Sequence, residues 1–381
     1  MFAEGANSRI REHLELELEP EFAAPFAIPS AYFRSRELID LLPEGGLRYQ
    51  LMGTADGPAF AGLLIAIDGK ERWRLHGPGL DLDDPDRSVA RIRQLAGRDI
   101  DVEIIAQAGW SPRQGISPRF RAGRCFLAGD AACIKTPFGG LGMCTGMVDA
   151  VNIGWKLWAV LRGFGGERLL DSYDTERRKT ASEVLAYQGV GMAAPAPMAG
   201  SGPAVARVGT AAMGMTSDDT MWRDDEQGAA ARRAYDRQAS EGQGDHVDKP
   251  LIELGFRYDG SDVIVDDGSP MPDMSDNRFY EQTAKPGGRA PHAFMDDGRS
   301  TLDLFGDGFT LLCFRGGNGE ALVEAAEHRA VPLSAVAIEE EPIADLYRSR
   351  LVLVRPDGFV AWRGDSPPDR PGYVLDRVTG R

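Results

Sequence analysis

The sequence has few cysteines, no long apolar run and no excess of positive charge. Its four cysteines among 381 residues include no Cys-x-x-Cys pair, so a zinc site is not expected and the thiols are expected to be reduced, as in a cytoplasmic protein. No segment approaches the ~20 apolar residues of a membrane-spanning helix, and residues 1–11 lack the apolar core of a signal peptide. A net charge of −15 argues against binding to nucleic acid or to an anionic membrane.

The composition is otherwise that of a soluble globular protein, with 43% hydrophobic and 27% charged residues. At roughly 150 residues per domain, the length predicts two or three domains. The sequence shows no signature of a Ser-His-Asp triad, a P-loop, an HExxH motif or paired catalytic carboxylates. No catalytic residue and no metal ligand is therefore predicted.

Alternating apolar residues predict a half-buried sheet around Asp68-Gly69, which is typical of a hairpin turn. The two strands are predicted over residues 63–67 and 71–76, and a helix over residues 84–96. Trp73 and Trp110 could line a pocket, although core packing is the default for both. His76 could contact a substrate or could simply be a half-exposed residue of the sheet.

A second α/β unit is predicted near the end of the chain. A strand, a helix, a strand and a β-hairpin follow one another, which describes a small α/β sandwich. These elements are predicted over residues 309–314, 319–330, 332–338, 351–354 and 359–362. Before this unit, the segments 191–202 and 217–248 predict helical pieces joined by a linker.

One segment points to chemistry. A short apolar strand, predicted over residues 124–128, places Asp130 at its carboxyl end, where α/β sheets put ligand contacts. A carboxylate there can accept hydrogen bonds from hydroxyl groups. Three glycines then let a flat ligand approach the positive end of a helix. The glycines are Gly139, Gly140 and Gly142, and the helix is predicted over residues 141–162.

Small residues four apart leave one face of this helix nearly bare. They are Gly142, Gly146, Ala150 and Gly154. A planar ring or another backbone could lie against that face. Tight packing between helix and sheet explains the stripe equally well, because glycine patterns alone are weak evidence.

A long motif begins at Gly129 and ends at Gly163: GDAAxxxxPxGGxGxxxGxxDAxNxxWKLxxVLRG. It resembles the second flavin-contact motif of the single-component FAD-dependent aromatic hydroxylases, which include p-hydroxybenzoate hydroxylase-like, phenol hydroxylase-like and polyketide hydroxylase enzymes. Residues 169–178 (LLDSYxxERR) extend the match. Residues 286–294 (PGGRAPHAF) and 353–363 (LVRPDGFVAWR) resemble the thioredoxin-like C-terminal domain of the phenol hydroxylase branch, which has lost its redox CxxC.

The resemblance implies a mixed α+β and α/β fold. Its parts are a partial p-hydroxybenzoate hydroxylase-like FAD domain, an antiparallel-sheet substrate domain and a thioredoxin-like C-terminal domain. The implied segments are a remnant of the FAD domain (1–18), the substrate sheet (19–115), a return segment of the FAD domain (116–185), a linker (186–250) and the thioredoxin-like domain (251–381).

The resemblance also implies a cofactor and its contacts. FAD, reduced by NAD(P)H, would use O₂ to hydroxylate an aromatic or polyketide substrate. Asp130 would accept hydrogen bonds from the ribityl chain, and Pro137 would lie beside the reactive edge of the isoalloxazine. Backbone N–H groups would face the N1–C2=O2 edge, where negative charge accumulates on reduction. They belong to Gly140, Leu141, Gly142 and Met143, with Gly139 in the turn before them.

The chain departs from the family pattern at its start. The GxGxxG turn that holds the FAD pyrophosphate is missing. Residues 4–11 look like a DGxxSxVR motif, with Glu4 for the Asp, which lies beyond that turn in the family. About 150 residues of dinucleotide-binding domain are therefore expected to be absent, and the strand at 124–128 is expected to lack its neighbours. A second polypeptide could supply this part, the gene start could be incomplete, or the remnant could have repacked.

Three functional hypotheses remain open from the sequence. The first is a FAD-dependent hydroxylase-like oxidoreductase, completed by another chain or forming an oligomer. The second is a cofactor-free protein, either a binding module or a non-redox enzyme that acts on a polycyclic aromatic. The third is a fragment without activity. Retention of FAD by the purified protein would separate the first from the others.

Overall fold

The computed structural model describes residues 1–23, 27–42, 48–52, 60–189, 226, 249–273, 276 and 279–381. The chain divides into two compact units, one formed by residues 1–20, 115–186 and 247–381 and the other by residues 21–114 and 187–246. Within the described ranges, no helix is both long and apolar enough to cross a membrane.

Helices and strands alternate irregularly along the described residues. In chain order, the helices are α1 (Arg9–His13), α2 (Pro85–Ala96), α3 (Gly142–Leu161), α4 (Glu167–Gly189), α5 (Pro250–Leu254), α6 (Glu320–His328), α7 (Glu341–Tyr347) and α8 (Pro371–Val378). The strands are β1 (Glu19–Ala23), β2 (Ile28–Arg34), β3 (Arg48–Met52), β4 (Phe60–Ala66), β5 (Arg72–His76), β6 (Glu103–Trp110), β7 (Arg113–Ile116), β8 (Arg121–Ala122), β9 (Cys125–Phe126), β10 (Cys133–Ile134), β11 (Phe309–Phe314), β12 (Leu333–Ile338), β13 (Leu351–Val354) and β14 (Val360–Gly364).

One unit contains a five-stranded antiparallel sheet with the order β3-β4-β5-β2-β6. The predicted hairpin is confirmed, since β4 pairs with β5. In its turn, the Asp68 carboxylate accepts hydrogen bonds from the backbone N–H groups of residues 70–72. Along β5, Trp73 and Leu75 are buried and the arginines beside them are exposed. This alternation is the half-buried sheet that the sequence predicts.

Helix α2 covers the buried face of this sheet. The Asp84 side chain accepts hydrogen bonds from two backbone N–H groups in the first turn, and Gly97 ends the helix with a left-handed φ of 70°. Ile92 of α2 lies in one apolar cluster with Phe33 and Trp73 of the sheet. The helix predicted over residues 84–96 is therefore confirmed, with Asp84 as its cap.

The last part of the chain forms a four-stranded mixed sheet with the order β12-β11-β13-β14. Strand β11 runs parallel to β12 and antiparallel to β13, and β13 forms a hairpin with β14. The predicted β-α-β unit followed by a hairpin is confirmed, which gives the thioredoxin-like arrangement. Helices α7 and α8 are additions to the prediction, because seven or eight residues span too few turns for a clear periodicity.

Helices α3 and α4 share a core with this sheet. Trp155 and Ala159 of α3 and Leu169 of α4 lie in one buried cluster with Leu311 of β11 and Leu353 of β13. The segments 116–185 and 251–381 therefore pack together in a single compact unit. The boundaries drawn between them from the sequence stay a prediction.

The strand predicted over residues 124–128 is shorter than expected but does not lack partners. Strand β9 pairs with β8. Beyond it, the Phe2 N–H donates to the Phe126 carbonyl at 2.7 Å, and the Ala128 N–H donates to the Phe2 carbonyl at 2.9 Å. The Leu127 N–H donates to the Phe120 carbonyl at 2.8 Å. The expectation of unpaired backbone groups in this strand is thus wrong, because residue 2 supplies a bridge on the far side.

Helix α1 is short, and Glu15 adopts a left-handed φ of 54° just after it. Helix α4 contains the motif residues 169–178 and runs on to Gly189. Most of the predicted linker, including segments 191–202 and 217–248, lies outside the described residues, apart from Glu226.

Candidate functional site

The GD turn, residues Gly129–Ala132, follows a buried segment and presents a carboxylate to solvent. Leu127 and Ala128 are buried, whereas Asp130 is exposed. Gly129 has a φ of 61°, a left-handed conformation that glycine adopts without steric cost. Asp130 therefore stands at the carboxyl end of the strand segment, where the sequence places it. Its contact with a ribityl chain stays a prediction.

The glycine turn, residues Pro137–Met143, is open. Pro137 and Gly140 are exposed and the Met143 side chain is 70% exposed. Gly139 and Gly140 have φ values of 80° and 68°, and a Cβ added at Gly140 would meet no described atom within 4 Å. Among the described atoms, none fills the space beside Gly140.

Helix α3 begins in this turn without a side-chain cap. Its N-cap residue is Leu141, and no side chain accepts a hydrogen bond from the first turn among the described residues. The first N–H groups of a helix have no intrahelical acceptor and carry the positive end of the helix dipole. The first backbone N–H groups of α3 therefore have no side-chain acceptor among the described residues. The Gly140 N–H donates to the Pro137 carbonyl at 3.2 Å, and the contacts of Gly140, Leu141, Gly142 and Met143 with a flavin stay a prediction.

The stripe of small residues on α3 has two different surroundings. A Cβ added at Gly146 would lie 3.3 Å from the Cα of Gly129, so α3 and the GD turn make a close backbone approach there. A Cβ added at Gly154 would meet no described atom within 4 Å, and Ala150 is exposed. Tight packing thus explains Gly146, whereas Ala150 is exposed and Gly154 has no described neighbour within 4 Å.

Asp149 of α3 holds the GD turn in place. Its buried carboxylate accepts a hydrogen bond from the Gly129 N–H at 2.9 Å and another from Arg177 Nε at 2.8 Å. Arg11 acts from the other side, since its guanidinium donates to the Ala131 carbonyl at 2.9 Å. The two contacts fix the backbone on either side of Asp130.

A buried ion network lies behind α3. The Glu176 carboxylate of α4 accepts hydrogen bonds from Arg355, Asn152, Lys156 and Ser261 at 2.7–2.9 Å. All of these side chains are buried. Arg355 also donates to Asp357 in the same β13–β14 turn, through Nε at 2.9 Å. The carboxylate therefore joins α4 to both α3 and the C-terminal sheet.

The ionisation of this network follows from its pairing. Burial favours a raised pKa for Glu176, but Arg355 and Lys156 outweigh it and hold the pKa of that carboxyl well below its usual range. Burial lowers the pKa of Lys156 to about 8, against the opposing effect of Glu176. Burial also opposes charge on Arg355, yet Asp357 and Glu176 raise its pKa above the ordinary value. Lys156, Glu176 and Arg355 are therefore all charged at neutral pH.

The aromatic residues weighed in the sequence have separate roles. Trp73 is buried in the core, and its indole N–H donates to the Ser35 carbonyl at 2.9 Å. Trp110 is half-buried, and its indole N–H donates to His76 Nδ1 at 3.2 Å. Burial, and then the charge of Arg74, lowers the pKa of His76. His76 is therefore neutral at pH 7 with its proton on Nε2.

Sequence reasoning missed the residues that support the site. Asp149, Lys156 and Glu176 lie inside the recognised motifs, but a charged residue in a helix is usually solvated, so the pattern alone does not mark them as buried. The available signal was the position of Lys156 between Trp155 and the apolar residues that follow it. A charge in so apolar a stretch indicates a buried partner.

Two family profiles match the chain. Residues 2–188 match a FAD binding domain, and residues 283–381 match the C-terminal part of aromatic-ring hydroxylases. A putative polyketide hydroxylase of Streptomyces coelicolor is 33% identical over 442 residues, which cover 99% of this chain and 69% of the relative. The chain belongs to the family of FAD-dependent aromatic and polyketide hydroxylases.

Two further comparisons point to the same family. A FAD-dependent monooxygenase of Emericella nidulans is 33% identical, over 95% of this chain and 59% of the relative. The solved structure of the flavin-dependent monooxygenase PieE, in complex with FAD and substrate, matches with a TM-score of 0.82 and 28% identity, over 99% of this chain and 69% of that one. The predicted p-hydroxybenzoate hydroxylase-like fold is confirmed. The chain spans only part of the length of these relatives, and none of the comparisons supports a second polypeptide that completes the FAD site.

Gly146, at the close approach, and Gly154, in open space, give a matched test of the packing of α3 against the GD turn. Replacing Gly146 by valine should lower the free energy of unfolding by about 1–3 kcal/mol, because the side chain would push α3 away from Gly129. Gly154→Val should change it by less than about 0.5 kcal/mol, since its Cβ enters open space. Urea unfolding measures both; equal effects would contradict the close approach.

The buried Glu176 carboxylate should determine how the free energy of unfolding changes with pH in the acid range. Glu176→Gln should cost about 3–5 kcal/mol at pH 7, because Arg355 and Lys156 lose their counter-charge. A carboxyl whose folded pKa is depressed contributes stability above its unfolded pKa, near 4.5, and that contribution fades as the pH falls below this value. The difference between wild type and variant should therefore shrink below about pH 4.5.

Glu167→Gln is the control for that experiment. Glu167 lies on the same helix, but its side chain is 72% exposed and pairs with Arg121 at the surface. Its replacement should change the free energy of unfolding by at most about 1 kcal/mol. Urea unfolding between pH 3 and 8 supplies the measurement, and an equal pH dependence for both variants would show that the buried carboxylate has no special role.

Proposed function

We propose that the chain provides the ring- and ribityl-binding part of a FAD-dependent monooxygenase that hydroxylates an aromatic or polyketide substrate, with NAD(P)H as reductant. The observation that carries the proposal is the uncapped start of α3 together with the exposed carboxylate of Asp130, whose neighbour Gly129 closely approaches Gly146 of the same helix. Backbone donors and a carboxylate side by side suit a ligand with a carbonyl edge and a polyol chain. Membership of the hydroxylase family supports this assignment.

The residues present fit the flavin. Asp130 would accept hydrogen bonds from the ribityl hydroxyls, and the N–H groups of Leu141, Gly142 and Met143 would donate to the pyrimidine edge of the ring. Pro137 would stand at the opposite, reactive edge. When bound, FAD supplies the electron transfer and oxygen chemistry. The protein's part is to hold the ring at a positive helix end, which favours negative charge there.

The two alternatives from the sequence receive less support. A cofactor-free binding protein would not need an open row of backbone donors beside a solvent-exposed carboxylate. A collapsed fragment would fill the turn with its own side chains, yet Gly140 has open space around it. The relatives in Streptomyces coelicolor and Emericella nidulans are a putative hydroxylase and a monooxygenase, which favours redox chemistry.

We further propose that the outer face of the five-stranded sheet contacts the aromatic substrate. Tyr32, Arg74 and His76 alternate with the buried core residues of β2 and β5, and Trp110 of β6 joins them through its hydrogen bond to His76. Aromatic side chains supply flat contact area. The neutral His76 would add one N–H donor, at Nε2, for a substrate carbonyl or phenol oxygen.

The first test is retention of FAD by the full chain. The wild-type protein should stay yellow through gel filtration, and Asp130→Ala should raise the Kd for FAD roughly tenfold, because a charged hydrogen-bond acceptor contributes about 1.5–3 kcal/mol. Calorimetry measures the Kd. Asp262→Ala is the control, since that carboxylate lies at the surface beside Arg377. A wild type that binds no FAD, or an Asp130→Ala variant that binds it equally well, would overturn the assignment.

The second test concerns the substrate face. His76→Phe keeps the ring but removes the donor, and it should weaken binding of a hydroxyanthraquinone about fivefold to tenfold. Trp110→Phe should weaken binding less, because it only frees the tautomer of His76. The Kd from fluorescence titration is the measurement, with the exposed His13→Phe as control. Unchanged affinity in His76→Phe would exclude this face.

A further inference from the structure

We infer that Arg355 of the C-terminal sheet is a positioning residue for the flavin-contact helix α3. The C-terminal domain would thus be a working part of the cofactor site, although it supplies none of the predicted contacts to FAD. The effect on FAD rests on the proposed function, whereas the effect on α3 does not. The inference follows from how the buried network is connected.

Arg355 is held rigidly by its own hairpin. Its backbone N–H donates to the Phe359 carbonyl at 2.8 Å, and the Gly358 N–H donates back to the Arg355 carbonyl at 2.9 Å, which closes the turn. Asp357, within the turn, accepts hydrogen bonds from the guanidinium at 2.9 and 2.5 Å. The guanidinium also lies over the rings of Trp155 and Tyr258, each 5.1 Å from its centroid. These contacts therefore fix the orientation of the guanidinium independently of its contact with α4.

The fork grips Glu176 with both branches. Nη1 donates to Oε1 at 2.7 Å and Nη2 donates to Oε2 at 2.9 Å, which is the bidentate geometry that only arginine provides. The same carboxylate accepts hydrogen bonds from Lys156 Nζ and Asn152 Nδ2 of α3, both at 2.7 Å. Since these two residues are four apart, they mark one face of the helix. Glu176 thus fixes the rotation of α3 relative to the C-terminal hairpin.

A direct contact and a parallel one reinforce this link. Asn152 Nδ2 also donates to Asp357 at 3.2 Å, so α3 touches the hairpin turn itself. Next to Glu176 on α4, Arg177 donates to Asp149 of α3 at 2.8 Å and to the Tyr258 hydroxyl at 3.1 Å. Each of the two neighbouring α4 side chains therefore has at least one partner on α3 and at least one in the last part of the chain.

A rotation of α3 at Asn152 would be transmitted along the helix to the glycine turn at its start. Asn152 lies ten residues after Gly142, about 15 Å along the axis, and a rigid helix transmits a rotation over that distance. Asp149, one turn before Asn152, also holds the Gly129 N–H beside Asp130. A substitution of Arg355 should therefore alter both the first N–H groups of α3 and the GD turn, although Arg355 hydrogen-bonds to neither of them.

Hydrogen exchange in the full chain without FAD tests the inference. Arg355→Lys keeps the charge and loses the fork. Exchange of the amides of residues 142–149 should then speed up about tenfold, while the central strand β11 keeps its protection. If the wild type binds FAD, its Kd should also rise about tenfold in this variant, with a changed flavin circular dichroism spectrum. Arg315→Lys, at an exposed ion pair directly after β11, should change neither.

The outcomes are distinguishable. Unchanged exchange in residues 142–149 would overturn the inference, and so would equal loss of protection in β11, which indicates general destabilisation. Should Arg355→Lys fail to fold, Asp357→Asn gives the same readout, since it removes the charge that holds the fork without removing the arginine. If the wild type binds no FAD, the proposed function fails, but the exchange of α3 still decides the role of Arg355.

Discussion

The structure depends on one buried carboxylate. Glu176 has no contact with solvent, and it accepts hydrogen bonds from side chains on α3, on the segment before the C-terminal sheet and on the β13–β14 turn. An isolated charge at this depth would be prohibitively costly. The carboxylate can stay there only while Lys156 and Arg355 stay there too. The buried charge of Glu176 is therefore stable only while three separate segments of the chain hold their positions around it.

This rigid support contrasts with the surface it carries. The turn that leads into α3 is glycine-rich and the helix has no side-chain cap, while the GD turn exposes the carboxylate of Asp130. Such a surface keeps its geometry only if something else holds the helix, because glycine gives the turn little stiffness of its own. Asp149 and Arg11 hold the GD turn, and the Glu176 network holds the helix behind it. The exposed glycine turn therefore depends on the ordered side chains behind α3.

The sequence predicts the elements better than it predicts their partners. Alternation located the hairpin around Asp68-Gly69, and the glycine-rich motif located α3 and Asp130, because both signals are local. The bridge from Phe2 and the pairing of Glu176 with Arg355 were invisible, since they join residues that are 125 and 179 positions apart. A helical charge is also usually solvated, so nothing in its spacing shows that it is buried.

The network also bears on why the thioredoxin-like domain packs against helix α3. Buried ion pairs add little net stability compared with apolar residues of the same volume, because desolvation cancels most of the attraction. The apolar cluster around Trp155 and Leu311 already joins the two segments, so adhesion alone does not require charges. The charged groups add a defined orientation, because a bidentate guanidinium–carboxylate pair requires one geometry. Apolar surfaces, by contrast, can shift against each other at little cost. If the first amides of α3 meet a flat ring, as we propose, orientation is the property that the site needs.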